Sequence, residues 1–238
     1  MYKNPTIHWY HGRIQDRVAL ISCDSEYFLT HAPAYIQSAR NISMRVHLHL
    51  INPNIAAKSL LDKFRADDIS ISYEEDSPGD RVYYACNRFI VASILLSQTL
   101  VEEMFITDID ALWMKNPISP VESVGLFTRD PLPGTIGWEA EGTKVAAGIV
   151  YVRNSQEARV YLDRVAEYIM YEKTPAWFLD QIALHASLRY LKEYHRFDSN
   201  FMDWEFREGT VMWTGKGDRK HTNQTYLAMK KKYAEMFS

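Results

Sequence analysis

Cysteine is scarce in this sequence: Cys23 and Cys86 are the two among 238 residues. That excludes a disulfide framework, and neither has the close neighbour that metal or redox pairs require. A reducing, cytoplasmic setting is expected. Long apolar runs are missing too. The first twenty residues, MYKNPTIHWYHGRIQDRVAL, hold no stretch of signal-peptide length, and no later segment approaches the roughly 20 apolar residues of a membrane span. There is no basic excess: 27 Lys and Arg face 30 Asp and Glu, a formal net charge of -3. This argues against nucleic acid as a partner, because its binders concentrate basic residues on one surface. The run Lys230, Lys231, Lys232 reads as the solvated face of a helical tail and not as a membrane contact. Internal repeats, low-complexity segments and a Pro-, Gly- or Ser-rich linker are also absent.

The composition that remains is globular, with 47% hydrophobic and 24% charged residues. It predicts a single α/β domain over residues 1–238 with a substantial core. Arg17 to Cys23 (RVALISC) reads as a strand, and Leu29 to Ile42 carries helical spacing. Arg45 to Ile51 alternates like a strand, Ile55 to Phe64 returns to a helical pattern, and Ile69 to Tyr73 alternates again. Arg81 to Ser97 is a strongly apolar helix, and Glu103 to Asp108 a buried strand that ends in acid. Strands alternating with helices predict a mostly parallel sheet, since parallel neighbours need crossover connections. Further on, Gly125 to Thr128, Val145 to Val152 and Gly209 to Trp213 read as strands, and Glu157 to Met170 and Phe178 to Leu188 as helices. The second half is expected to extend the same sheet.

The sharpest chemical feature is Phe105-Ile106-Thr107-Asp108-Ile109-Asp110, two carboxylates two residues apart on the turn that leaves an apolar strand. At that spacing both can face one cation, and hard oxygen ligands suit Mg²⁺ or Mn²⁺ with substrate phosphates completing the shell. Ligands of open α/β sheets bind outside the carboxyl ends of the strands, where this turn is expected. The alternative is a surface turn whose acids cap the next segment. A phosphatase with an aspartate nucleophile would place its acids after the first strand, whereas Asp108 follows the fourth predicted one. A nucleotidyltransferase would need a Gly-rich phosphate loop after strand one. Ser22 to Tyr27 contains no glycine.

The element order and several local strings, over roughly residues 17 to 221, resemble the GT-A glycosyltransferases, in particular their glycogenin-like, retaining branch. The resemblance implies a three-layer α/β/α nucleotide-diphospho-sugar transferase fold, with a nucleotide-binding half over about 17–115 and an acceptor-side half over about 116–238. It implies Asp24 and Tyr27 at the nucleobase, where helix capping and core packing are the bland alternative. It places Arg88 beside the metal site and the diphosphate. A lone charge on so apolar a helix needs a partner, and Asp108 is the expected one. Gly148 matches the family's Asn-Ala-Gly, but Ala146 stands where the asparagine would be, which leaves the donor sugar open. Asp180 and Gln181 match an Asp-Gln pair near the reacting carbon, and Asp130 is a second candidate there. Gly217 and Lys220 match the diphosphate positions of a His-x-x-Gly-x-x-Lys pattern, with Thr214 in place of the metal-ligating histidine. Either His221 or another group then serves as third ligand, or Asp108, Asp110 and the diphosphate hold the metal alone.

The expected activity is transfer of a sugar from a nucleotide-diphosphate donor to a saccharide or other hydroxyl acceptor, dependent on Mn²⁺ or Mg²⁺. A non-catalytic nucleotide-sugar-binding protein is the alternative, given the missing Asn and His. His31, His47 and His49 are expected to be structural. Trp138, Trp177, Trp204 and Trp213 could stack on an acceptor sugar, with core packing the expected role of any single one.

Overall fold

The computed structural model describes residues 2–237. In chain order the elements are β1 (His8–His11), β2 (Gln15–Cys23), α1 (Ser25–Asn41), β3 (Arg45–Ile51), α2 (Ile55–Leu61), β4 (Ile69–Glu74), α3 (Arg81–Gln98), β5 (Leu100–Thr107) and β6 (Leu112–Trp113). They continue with β7 (Val124–Thr128), α4 (Gly137–Gly142), β8 (Val145–Arg153), α5 (Gln156–Tyr171), α6 (Leu179–Ser187), β9 (His195–Phe197), β10 (Met202–Asp203), β11 (Met212–Trp213), α7 (Arg219–Thr222) and α8 (Gln224–Met236).

Eight strands form the main sheet in the order β1-β4-β3-β2-β5-β8-β7-β9. The run β4-β3-β2-β5 is parallel, as its helical crossovers require. β8 is antiparallel to both β5 and β7, and β9 returns parallel to β7. The second half thus extends the same sheet with mixed polarity. β1, unpredicted from the sequence, closes the far edge antiparallel to β4. A small sheet, β10-β11-β6, sits beside the large one.

Alternation along the strands feeds two cores. Val18, Leu20, Met104 and Ile106 pack beneath α3, α5 and α6. Ala19, Ile21 and Phe105 face α1 and α2 on the other side. The layers are helix, sheet, helix. α8 packs against α1 through Tyr226 and Tyr233, so the predicted helical tail is docked. Cys23 and Cys86 are buried free thiols. Among the described residues no helix is long and apolar enough to cross a membrane.

Between β3 and β4 lies a fully buried polar ladder. His47 bonds Ser70 and Ser72 at 2.9 Å each, and His49 bonds Ser72 at 2.8 Å and Glu74 at 3.2 Å. From α3, Tyr83 donates to Glu74 at 2.8 Å and Asn87 donates to both of its oxygens at 3.1 Å. Burial pushes the Glu74 carboxyl up, but hydrogen bonds from His49, Ser77 and Tyr83 outweigh it and hold it below its usual value. The histidines are structural, as expected, and their partners come from the neighbouring strand.

Burial also drives two histidines, His31 and His47, away from their charged form. It lowers His31 to about 3, with Lys230, Lys220 and His221 adding to the effect, and it lowers His47 well below its ordinary value. In the unfolded chain both take up a proton near pH 6.5, while the folded protein refuses it. Stability is therefore complete above about pH 6.5 and falls as pH drops below it, by up to ~1.4 kcal/mol per pH unit for each histidine. Urea unfolding at pH 7.5 and 5.0 checks this; equal midpoints would contradict it.

Candidate active site

The carboxyl ends of β2 and β5 and the loops after β7 and β11 converge on one patch. At its centre Arg88 projects from the middle of α3, whose start is fixed by Asp80 accepting from the Tyr83 amide at 2.8 Å. Arg88 is 5% exposed, so its charge must be neutralised within the protein. Its Nη1 lies 2.7 Å from Asp108, the expected partner, and its Nη2 lies 3.1 Å from Asp180 and donates to the Ala147 carbonyl at 3.1 Å. Its Nε is buried without a partner.

The Ala147 carbonyl is available because β8 is irregular there. The ladder with β7 jumps from Leu126 opposite Val150 to Phe127 opposite Ala146. Pairing with β5 ends at Ile149. Gly148 lies in this gap, and a Cβ on it would meet Met202 Sδ at 3.0 Å and both Asp108 Oδ2 and Thr214 Oγ1 at 3.5 Å. Glycine thus keeps open the space between Asp108 and Thr214.

The second carboxylate, Asp110, is buried and pairs with Lys220 at 2.8 Å. Lys220 also donates to the Tyr27 hydroxyl at 3.0 Å and lies over its ring at 5.1 Å. Burial works against the Lys220 ammonium, but Asp110 and Tyr27 hold its pKa above the usual lysine value. Asp108 is half-buried; the loss of hydration raises its carboxyl, Arg88 opposes this, and the charge of Asp110 adds to the rise. Burial likewise raises Asp180, against Arg88.

Asp24 caps α1, accepting from the Tyr27 amide at 2.8 Å. Tyr27 itself is 39% exposed and not a core residue. Asp180 accepts from the Gln181 amide at 2.8 Å, and Arg129 donates to the Gln181 side chain. Asp130 is exposed beside Arg129. Gly217 has φ +58, a conformation that favours glycine, and no atom lies within 4 Å of its would-be Cβ. Thr214 is buried and close to Gly148, whereas His221 is exposed on α7 and faces His31. Among the described residues no group of three or more His, Cys, Asp or Glu side chains is placed to hold a metal ion. His221 therefore does not complete a cluster with Asp108 and Asp110. Trp213 is buried, Trp204 lies under Lys216, and Trp138 and Trp177 are 63% and 58% exposed. Core packing does not describe those last two. Arg129 and Lys216, both close to the patch, were not legible as site residues in isolation.

This is the GT-A fold: a large central α/β sheet flanked by helices, as found in solved glycosyltransferases. The galactosyltransferase LgtC, solved with donor and acceptor sugar analogs, superposes with a TM-score of 0.61 at 12% identity, over 94% of this chain and 95% of that one. The glycosyltransferase GlyE of Streptococcus pneumoniae TIGR4 gives 0.58 at 10% identity, over 93% of this chain and 60% of that one. The bifunctional glycosyltransferase WbbM gives 0.57 at 11%, over 85% and 46%. No protein-family profile matches the sequence, and no curated protein sequence does.

Proposed function

We propose that this protein transfers a sugar from a nucleotide-diphosphate donor to a hydroxyl acceptor at the patch around Asp108. One observation carries the reading: Asp108, Asp110, Arg88, Lys220 and Tyr27, five residues assigned from the sequence, come together at the carboxyl end of the parallel strands. Ligands of open sheets bind there. The fold shared with solved glycosyltransferases supports it.

Each side chain has a task in this reading. Tyr27 offers an exposed ring to the base. Lys220 and Arg88 carry the positive charge that the leaving diphosphate needs as the glycosidic bond breaks, held in place before the reaction begins. Gly148 admits the donor sugar close to the backbone. Asp180 and Gln181, fixed by Arg88 and Arg129, face the reacting carbon, with Asp130 at the rim. The donor set of Asp108 and Asp110 is hard oxygen, and their mutual repulsion favours a cation between them. It fits Mn²⁺ or Mg²⁺ held by two carboxylates with phosphate oxygens in the remaining positions. Such an ion would supply Lewis-acid stabilisation of the departing diphosphate.

A panel of UDP, GDP and ADP sugars with Mn²⁺ tests the reading by thermal shift, since binding to the folded state raises the melting temperature by mass action. Turnover of the selected donor separates an enzyme from a non-catalytic binder, and no shift with any of them sinks the proposal. Tyr27→Ala is expected to weaken nucleoside diphosphate binding by about 1 kcal/mol, the scale of a lost aromatic contact. Unchanged affinity in calorimetry would remove Tyr27 from the site.

A further inference from the structure

Two cations at the edge of the patch have neutral partners. Arg129 follows β7, whose carboxyl end lies on the same side of the sheet as that of β5. Its Nε donates to the Thr143 carbonyl at 2.9 Å, and its Nη2 donates to the side-chain oxygen of Gln181. Lys216 lies 4.5 Å above the ring of Trp204, and that ring packs edge-on against Phe127, two residues before Arg129. Among the described residues neither cation forms an ion pair. The acid whose charge supports Arg129 is Asp180, and it is shared with Arg88.

The pair is held at a cost. Burial, joined by the charges of Arg129 and Arg219, brings Lys216 down to about 8. Arg219 has its own acid, Glu205, at 3.0 Å. Arg129 has none, and burial lowers it as well. Two partly buried like charges are expensive unless an anion arrives to share them. A guanidinium fixed by a carbonyl and an amide, with an ammonium on an aromatic shelf, makes a preformed clamp for a carboxylate or phosphate.

We propose that Arg129 and Lys216 form an anion subsite that selects a substrate bearing a carboxylate or phosphate beside the sugar being transferred. The inference rests on the transferase reading and adds to it the charge of the substrate. Gln181 binds Arg129 on one side and adjoins Asp180 on the other, so the subsite borders the point of reaction. The anion is carried by the donor sugar, as in a uronate, or by the acceptor.

Calorimetry with Mn²⁺ distinguishes these sources. UDP-glucuronate is compared with UDP-glucose for the donor, and glucose 6-phosphate with glucose, on UDP-saturated protein, for the acceptor. If the panel selects adenine or guanine, the same pairs are used with that base. The anionic member of one pair is expected to bind at least about tenfold more tightly, as a charge-assisted contact allows. Lys216→Met and Arg129→Gln should each reduce that preference to roughly threefold or less, and Lys216→Arg should retain it. Circular dichroism confirms that each variant is folded. Equal affinity within both pairs, in protein that binds the nucleoside diphosphate, overturns the inference and leaves the transferase reading intact. So does a preference that survives both substitutions. A comparable loss of affinity for UDP itself in both variants would assign the pair to the diphosphate instead, and failure of every nucleotide to bind would overturn both readings.

Discussion

Asp108→Asn is expected to abolish sugar transfer, by at least roughly 10²-fold, the scale on which active-site electrostatic groups act, while leaving the protein as stable as before or more so. The second half of this expectation follows from the sign of the pKa shift. Burial and the charge of Asp110 raise the Asp108 carboxyl, and Arg88 offsets this incompletely. An acid whose folded pKa lies above its unfolded one is most favourable to folding when protonated; its contribution is lost as pH rises through the folded value. At neutral pH the ionised carboxylate therefore works against the fold, and a neutral isostere removes that burden. Asp180, 3.1 Å from Arg88 in the unaltered protein, is expected to remain its counter-charge in the variant. The double variant Asp108→Asn, Asp180→Asn leaves Arg88 without a counter-charge and should lose stability markedly. Melting curves and donor turnover, measured together, decide the matter. Near-normal turnover in Asp108→Asn, or its unfolding, would contradict the assignment.

The opposite pattern is expected at Glu74. Replacing it with alanine should cost about 3–5 kcal/mol, since each buried donor left without its acceptor costs about 1–3 kcal/mol. Four donors depend on this carboxylate: His49 from β3, Tyr83 and Asn87 from α3, and Ser77 between β4 and α3. The loss is a large share of the 5–15 kcal/mol that ordinarily holds a domain together. Pairing Glu74→Met with His49→Leu replaces the polar groups with apolar volume and should recover part of the loss. Denaturant unfolding reads both variants, and a change below about 1 kcal/mol for Glu74→Ala would show that the ladder is incidental.

The contrast between these sites tracks what was legible in the sequence. The run from Arg17 to Asp108 was readable because β2 and β5 carry apolar runs, β3 and β4 alternate, and helical spacing or a long apolar stretch marks the helices between them. Arg45–Ile51 reproduces the predicted strand, and α3 ends one residue past its predicted limit. The edge strand β1 and the short β9 were missed, since three or four residues give no period to detect. The polar ladder left a signal that was overlooked. Ser70, Ser72 and Glu74 alternate in the same phase as His47 and His49, and parallel strands in register place such residues side by side. Arg88 was legible because a charge on an apolar helix must be paid for. Lys216 and Arg129 were not, because each looks ordinary alone and only the folding of β7 and β11 towards one edge brings them together. The match at Thr214 came from spacing; spacing could not show that His221 turns away.

The gap in β8 gives the protein a local choice between a better sheet and a working cleft. Side chains along β8 alternate between the two cores up to Ala147 and again from Ile149, with the phase displaced by one at Gly148. A chain shortened by that residue would restore simple alternation and remove a flexible point from the strand. It would also draw in the Ala147 carbonyl that Arg88 holds and close the space between Asp108 and Thr214. Improvement of the fold and preservation of the chemistry therefore pull in opposite directions at this position. Along Val150–Arg153, where the ladder is regular on both sides, they do not. Changes aimed at a more robust protein belong in that outer half of the strand.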